Sequence, residues 1–306
     1  MARFAAADGE REGQRLIVLT DAQSGAAAQL WPGCGNNLFS LKLPRPDGAG
    51  DLVTVIQDPP ALAEIRRRPS WWGIPLLFPF PGTIPQGEYE FEGRKLRLGR
   101  PEQEIVSEGR ERPGTKRDYH GFVMDLPWVV ESGEADDGRV VVRSSLDSSA
   151  HPEANEGFPF AYRVEATYEL SRDGLRLDFT VKNPARPAPE GSGERLPFGF
   201  GAHPFFKLPL GELGSAAECL VRIPALRRWN GRGMRALVER YGEGKVPPEA
   251  WKELRPEVSA ELDLRDPRRF EPGAFNGMYT DVALNEAGLV EAFVRDPVNG
   301  LETVMR

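Results

Sequence analysis

Between Tyr162 and Val181 the apolar residues fall on every second position. Tyr162, Val164, Ala166, Tyr168 and Leu170 alternate with mostly polar neighbours, and Leu175, Leu177, Phe179 and Val181 repeat the pattern after the turn Ser171-Arg172-Asp173-Gly174. Side chains alternate faces along a strand but come round every 3.6 residues on a helix, so this spacing reads as two antiparallel strands. Glycine at the end of the turn accommodates a positive φ, which completes a hairpin signature.

The same period recurs along the chain. A second hairpin is expected at Glu92-Gly93, joining Tyr89 and Phe91 to Leu96 and Leu98, and a strand at Val140-Val141-Val142 follows the turn Asp136-Asp137-Gly138. Further turns are expected at Asp47-Gly48 and Asn299-Gly300. Helical signals are short: residues 60–68, with Pro60 at the start, and residues 248–254. The proline- and glycine-rich stretch 184–195 reads as a long loop within one sandwich, because strands of similar spacing flank it. The 28 prolines and 33 glycines suit many strand-to-strand turns. The expected architecture is mainly β: one large antiparallel β-sandwich across residues 1–306, with few short helices.

Composition narrows the function classes. A chain of 306 residues, 40% hydrophobic and 28% charged, can bury a large core. Its net charge of -7 gives no reason to expect nucleic acid or an anionic membrane as a partner. The longest basic run, Arg66-Arg67-Arg68, reads as a solvated helix end. Cys34 and Cys219 match neither a disulfide framework nor a zinc motif, which fits a reducing compartment. The first residues lack the apolar core of a signal peptide, and no stretch approaches the roughly 18 apolar residues of a membrane span. The cytoplasm is the expected location. No P-loop, GxGxxG or GxSxG motif is present.

Two of the three histidines sit in apolar, aromatic settings: His120 in Tyr119-His120-Gly121-Phe122, and His203 in Gly201-Ala202-His203-Pro204-Phe205-Phe206. The third, His151, lies in a polar stretch. Histidine can both give and take a proton near neutrality, so a shared site for His120 and His203 would be a proton-handling site. The alternative is a pair of hydrogen-bonded core residues. Two ligands are too few for a metal centre. The segment Trp71–Gly82 carries four aromatics and three prolines, which rules out a regular central strand. It reads equally well as a platform for sugar rings, with Phe80 presented on it, or as a structural plug.

Three segments in order resemble the aldose 1-epimerase (galactose mutarotase-like) family. They are Gly73-Ile74-Pro75-Leu76-Leu77-Phe78-Pro79 with Ile84, Gly87, Tyr89 and Gly93; His120-Gly121-Phe122 followed by Pro127-Trp128; and Leu196-Pro197-Phe198-Gly199 with the run from Gly201 to Phe206. The resemblance covers about residues 70 to 300. It implies a β-supersandwich that binds an aldose in an open cleft and needs no metal or organic cofactor. It also implies that His203 is the acid at the sugar ring oxygen, with His120 hydrogen-bonded near the same atom. Anomer interconversion opens the ring, which requires a base at the anomeric hydroxyl and an acid at the ring oxygen. Expected sugar contacts are Asn276, Phe80, Phe205 and Tyr279.

The chain departs from the family pattern at three places. Gly82-Thr83 stands where the family has a sugar-gripping arginine. Asn276, in Phe275-Asn276-Gly277-Met278-Tyr279-Thr280, stands where an acidic residue is usual; asparagine still donates and accepts hydrogen bonds. The family's base is a glutamate one or two strands beyond the counterpart of residues 296–300, and this sequence runs to Arg306. The expectation is therefore a single sandwich lacking its final strands and, with them, its base, and having little mutarotase activity. The main alternative is a sugar-binding or sensory protein of the same fold. A hexose-6-phosphate epimerase, a variant of the enzyme reading, would need convergent arginines for phosphate; no motif identifies them, and Arg117 is a candidate contributor only.

Overall fold

The computed structural model describes residues 2–48, 50–84, 87–99, 105–107, 110–112, 119–184, 194–242 and 245–306. Arg117 and most of the 184–195 loop, residues 185–193, lie outside the described residues. The chain divides into two compact units, Met1–Lys207 and Leu208–Arg306.

The first unit begins with a five-stranded antiparallel sheet in sequential order: β1 (Phe4–Arg11), β2 (Gln14–Asp21), β3 (Ala27–Trp31), β4 (Asn37–Pro44) and β5 (Leu52–Ile56). Short helix α1 (Leu62–Arg67) follows, with Leu62 and Ile65 buried. Its basic end is not simply solvated: Arg66 lies over Trp31 at 4.8 Å, and Arg68, just beyond, over Trp71 at 4.5 Å. In the proline-rich segment only β6 (Leu76–Leu77) is strand. The hairpin expected at Glu92-Gly93 is β7 (Glu88–Phe91) and β8 (Arg94–Arg97), and β9 (Ile105–Ser107) pairs with β10 (Arg110–Arg112).

A four-stranded antiparallel sheet comes next: β11 (Val129–Ala135), β12 (Arg139–Asp147), β13 (Arg163–Ser171) and β14 (Gly174–Lys182). β1 packs against β11 and β12, and β2 against β12 and β13, so the two sheets form a sandwich within this unit. On β13, Val164, Ala166, Tyr168 and Leu170 are fully buried, and they face Val181, Phe179, Leu177 and Leu175 across the ladder. A full-sized apolar side chain contributes about 1.5–3 kcal/mol on burial. A one-residue slip would replace that gain by burying Glu165 and Glu169, so the alternation fixes the register. Phe78, Phe122, Phe158, Phe160 and Tyr162 join the same core. β15 (Gly201–Ala202) pairs antiparallel with β6.

In the second unit, β16 (Leu220–Arg222) sits between β18 (Arg268–Arg269) and β20 (Ala292–Asp296), with β21 (Leu301–Met305) beyond β20. β17 (Ala225–Arg228) pairs with β19 (Tyr279–Val282). The Asn299-Gly300 turn connects β20 to β21 as expected. Asp296 organises that turn. Its buried carboxylate accepts hydrogen bonds from the Leu210 and Asn299 amides at 3.0 and 3.1 Å and from Asn299 Nδ2 at 2.8 Å. Burial works against its ionisation, but these donors prevail and hold its pKa below the usual carboxylate range.

The helices depart from the sequence expectation in type at one place and in number at another. Residues 248–254 form a 3₁₀ helix rather than an α-helix. The longest α-helix, α2 (Gly231–Tyr241), lies where two early glycines weaken the sequence signal. Packing decides it: Leu237 is buried with Ala250 and Leu254 against Trp229 and Val246.

Candidate functional site

The site in the first unit is assembled by backbone pairing. Asn37, fully buried at the start of β4, donates from Nδ2 to the Trp72 carbonyl at 2.8 Å and accepts at Oδ1 from the Ile74 amide at 3.0 Å. This fixes the entry to the proline-rich segment. Residues 201–207 then lie between two neighbours. The His203 amide donates to Pro75 O at 3.0 Å and Phe205 to Gly73 O at 2.9 Å on one side; Gln57 donates to Phe205 O and Lys207 to Val55 O on the other. His203 is exposed, and its ring stacks on Phe205 with centroids 4.8 Å apart.

His120 comes from a different stretch of chain. Phe78 and Gly121 form a parallel bridge, and the Phe122 amide donates to Phe78 O at 2.8 Å. Gly121 has φ +73°, and a Cβ there would lie 2.0 Å from the Phe78 carbonyl oxygen, so only glycine allows this approach. His120 itself adopts φ +61°, which is uncommon for a residue with a side chain. Beneath it, Phe122 packs edge-on against Phe158 at 5.4 Å and Phe78 against Tyr162 at 5.0 Å, a fully buried aromatic floor.

Gly82 holds His120 twice. The His120 amide donates to Gly82 O at 2.7 Å, and the Gly82 amide donates to His120 Nδ1 at 2.9 Å. A ring nitrogen that accepts carries no proton, so the neutral imidazole keeps its proton on Nε2. His120 is only 8% exposed. Desolvation, reinforced by the nearby charge of His203, lowers its pKa to about 4. At neutral pH it is a fixed hydrogen-bond donor through Nε2–H. The two imidazole centroids are 5.9 Å apart. The pKa of His203 is also lowered, by desolvation on its packed side, with its own backbone opposing the shift. Its open face leaves the proton accessible to solvent. Both imidazoles are thus biased towards the neutral form, His120 buried and His203 open to solvent on one face.

The structure thus brings His120 and His203 together, with Phe205 stacked on the latter and Phe80 edge-on to Phe122 at 6.0 Å. Within the proline-rich segment both readings have a share: Phe78 is core, whereas Phe80, Trp71 and Trp72 are half-buried. His151 stands apart, between two short 3₁₀ turns at residues 148–150 and 152–155. Asn276 and Tyr279 belong to the second unit. Asn276 is exposed, and the half-buried Tyr279 hydroxyl donates to Leu262 O at 3.1 Å. Cys34 and Cys219 are free and buried, and burial raises the Cys34 thiol to about 12. Among the described residues no group of three or more His, Cys, Asp and Glu side chains is arranged to hold a metal ion, and no helix is long and apolar enough to cross a membrane. Gly82 was legible in the sequence only as a glycine in place of the expected Asn-Arg or Gly-Arg. Its hold on His120 is made by backbone atoms and leaves no side-chain signal.

Solved structures share the fold. A galactose mutarotase-like protein from Clostridium acetobutylicum matches with a TM-score of 0.69 at 20% identity, covering 99% of this chain and 80% of that one. A galactose 1-epimerase from Lactobacillus acidophilus matches at 0.60 and 16%, covering 97% and 78%. An aldose epimerase homologue from C. elegans matches at 0.58 and 12%, covering 98% and 77%. At such identities the likeness concerns fold alone. The sequence itself matches the family model for aldose 1-epimerase over residues 17–231, which include both histidines and their supporting segments. The chain belongs to the aldose 1-epimerase family.

Proposed function

We propose that the protein binds a free aldose against His120 and His203 and interconverts its anomers by opening and reclosing the ring. His203 delivers a proton to the ring oxygen as the bond from C1 to that oxygen breaks, solvent water takes the proton of the anomeric hydroxyl in place of the family's glutamate, both transfers reverse on closure, and the Nε2–H of His120 donates a hydrogen bond to the ring oxygen. The observation that carries this reading is the pairing of a locked, neutral imidazole with an exposed one at a centroid distance of 5.9 Å. A donor whose charge state does not change can stabilise a developing alkoxide without competing for the proton. Phe205 and Phe80 are proposed as apolar contacts for the sugar ring. For Asn276 and Tyr279 the proposal rests on the family segment alone.

A second reading, sugar binding without anomerisation, has one specific support. Gly82 spends its amide and carbonyl on His120 and Thr83 pairs with Tyr119, so the stretch expected to carry the family's arginine carries no guanidinium. Polarimetry on freshly dissolved galactose and glucose, with calorimetric titration of the same sugars, separates the two. Faster approach to anomeric equilibrium supports the enzyme. Saturable binding without acceleration supports the second reading, and neither effect refutes both.

A further inference from the structure

In the second unit the guanidinium of Arg228 has an unusual environment. Arg228, at the end of β17, is paired with Tyr279 of β19 across the ladder. Its Nη2 donates to the Asn276 carbonyl at 2.5 Å, and its charged carbon lies 5.8 Å from the Tyr279 ring centroid. The guanidinium is laid against Gly277: a Cβ at that position would meet Nη2, Nε and Cζ at 2.3, 2.4 and 2.6 Å. Its Nε–H is shut off from solvent and has no acceptor. A buried donor without a partner costs about 1–3 kcal/mol, so the group is held where its own hydrogen bonding is incomplete. No carboxylate pairs with it among the described residues. What it does hold is the backbone on which Asn276 sits, while the Asn276 side chain is exposed and makes no hydrogen bond among the described residues.

We infer that Arg228 is a positioning residue for sugar recognition: packed on Gly277 and bonded to the Asn276 carbonyl, it fixes residues 275–279 so that the Asn276 amide is presented for hydrogen bonding to sugar hydroxyls. This rests on the proposed role of Asn276 as a sugar contact. Gly277 belongs to the same device, since the absence of a side chain lets the flat guanidinium lie on the peptide. Lysine carries the charge but not the planar fork, so charge alone does not substitute.

Two perturbations test the hold separately. Arg228→Gln removes the guanidinium. Gly277→Ala keeps it but pushes it aside, at low folding cost because the displaced atoms are the far end of a flexible side chain. Amide hydrogen exchange on the full chain is the first readout. Both variants are expected to lose protection at least about tenfold at the Trp229 amide, which donates to Met278 O at 2.7 Å, with little change on β20 and β21; this corresponds to about 1.4 kcal/mol of local stability. Unchanged protection in both variants overturns the inference. Calorimetric titration with galactose is the second. Arg228→Gln and Asn276→Ala are each expected to weaken binding about tenfold, and the double variant no further, because Arg228 acts through Asn276. Additive losses, or full binding by Arg228→Gln, overturn it. A wild-type protein that binds no sugar refutes the proposed function and the recognition role, whereas the exchange result still decides whether Arg228 fixes the segment.

Discussion

Acidifying the protein from pH 7 to pH 4.5 should charge His120 in the unfolded chain but not in the folded one. The folded pKa is about 4, against an ordinary 6.5, because burial and the nearby His203 disfavour the imidazolium. Between these values the unfolded state binds a proton that the folded state does not. Stability attributable to this group is therefore flat above pH 6.5 and falls as the pH drops towards 4. At about 1.4 kcal/mol per pH unit the full loss is about 3 kcal/mol, of which about 2.5 is reached by pH 4.5. The test compares urea unfolding of the wild type and His120→Asn at pH 7.5 and 4.5. Asparagine tolerates positive φ and can accept the Gly82 amide through its side-chain oxygen, but it does not titrate. Carboxylates with lowered pKa values, such as Asp21 and Asp263, lose their stabilisation at lower pH and are common to both proteins, so they cancel in the difference. The wild type should lose about 2.5 kcal/mol more than the variant. Equal losses, or an NMR titration placing His120 near 6.5 with its proton on Nδ1, would refute the argument.

Other perturbations address the rest of the scaffold. His203→Ala should abolish accelerated mutarotation in polarimetry, while His151→Ala leaves it near the wild-type rate; equal effects count against a special role for His203. Gly121→Ala drives a Cβ into the Phe78 carbonyl and imposes positive φ on alanine, so a destabilisation of about 2 kcal/mol or more is expected in urea unfolding, with displacement of His120 visible in its NMR signals. Asp296→Ala leaves the buried Leu210 amide and the half-buried Asn299 donors without their acceptor, and a loss of about 2–3 kcal/mol is expected, read by exchange protection on β20 and β21.

Falsely bland residues carry much of the site. Gly82 and Asn37 act through positions that no pattern of residue types reveals: one presents an amide to an imidazole, the other fixes two peptide groups from inside the core. The α2 helix likewise owes its existence to the cover that Leu237 finds on Ala250 and Leu254. By contrast, the hairpin from Arg163 to Lys182 is local, and its period, turn and register follow from adjacent residues.

Alternation of apolar and polar side chains determined by itself that the chain forms antiparallel strands, and the ordered motifs around Gly73, His120 and His203 determined the family, because both are properties of short stretches. Only the tertiary structure decided that residues 83 positions apart would present their rings 5.9 Å from one another, and that the Gly82 amide would lock one of them neutral. Those outcomes depend on long-range backbone pairing and on exclusion of water, and neither is encoded in the spacing of residues along the chain.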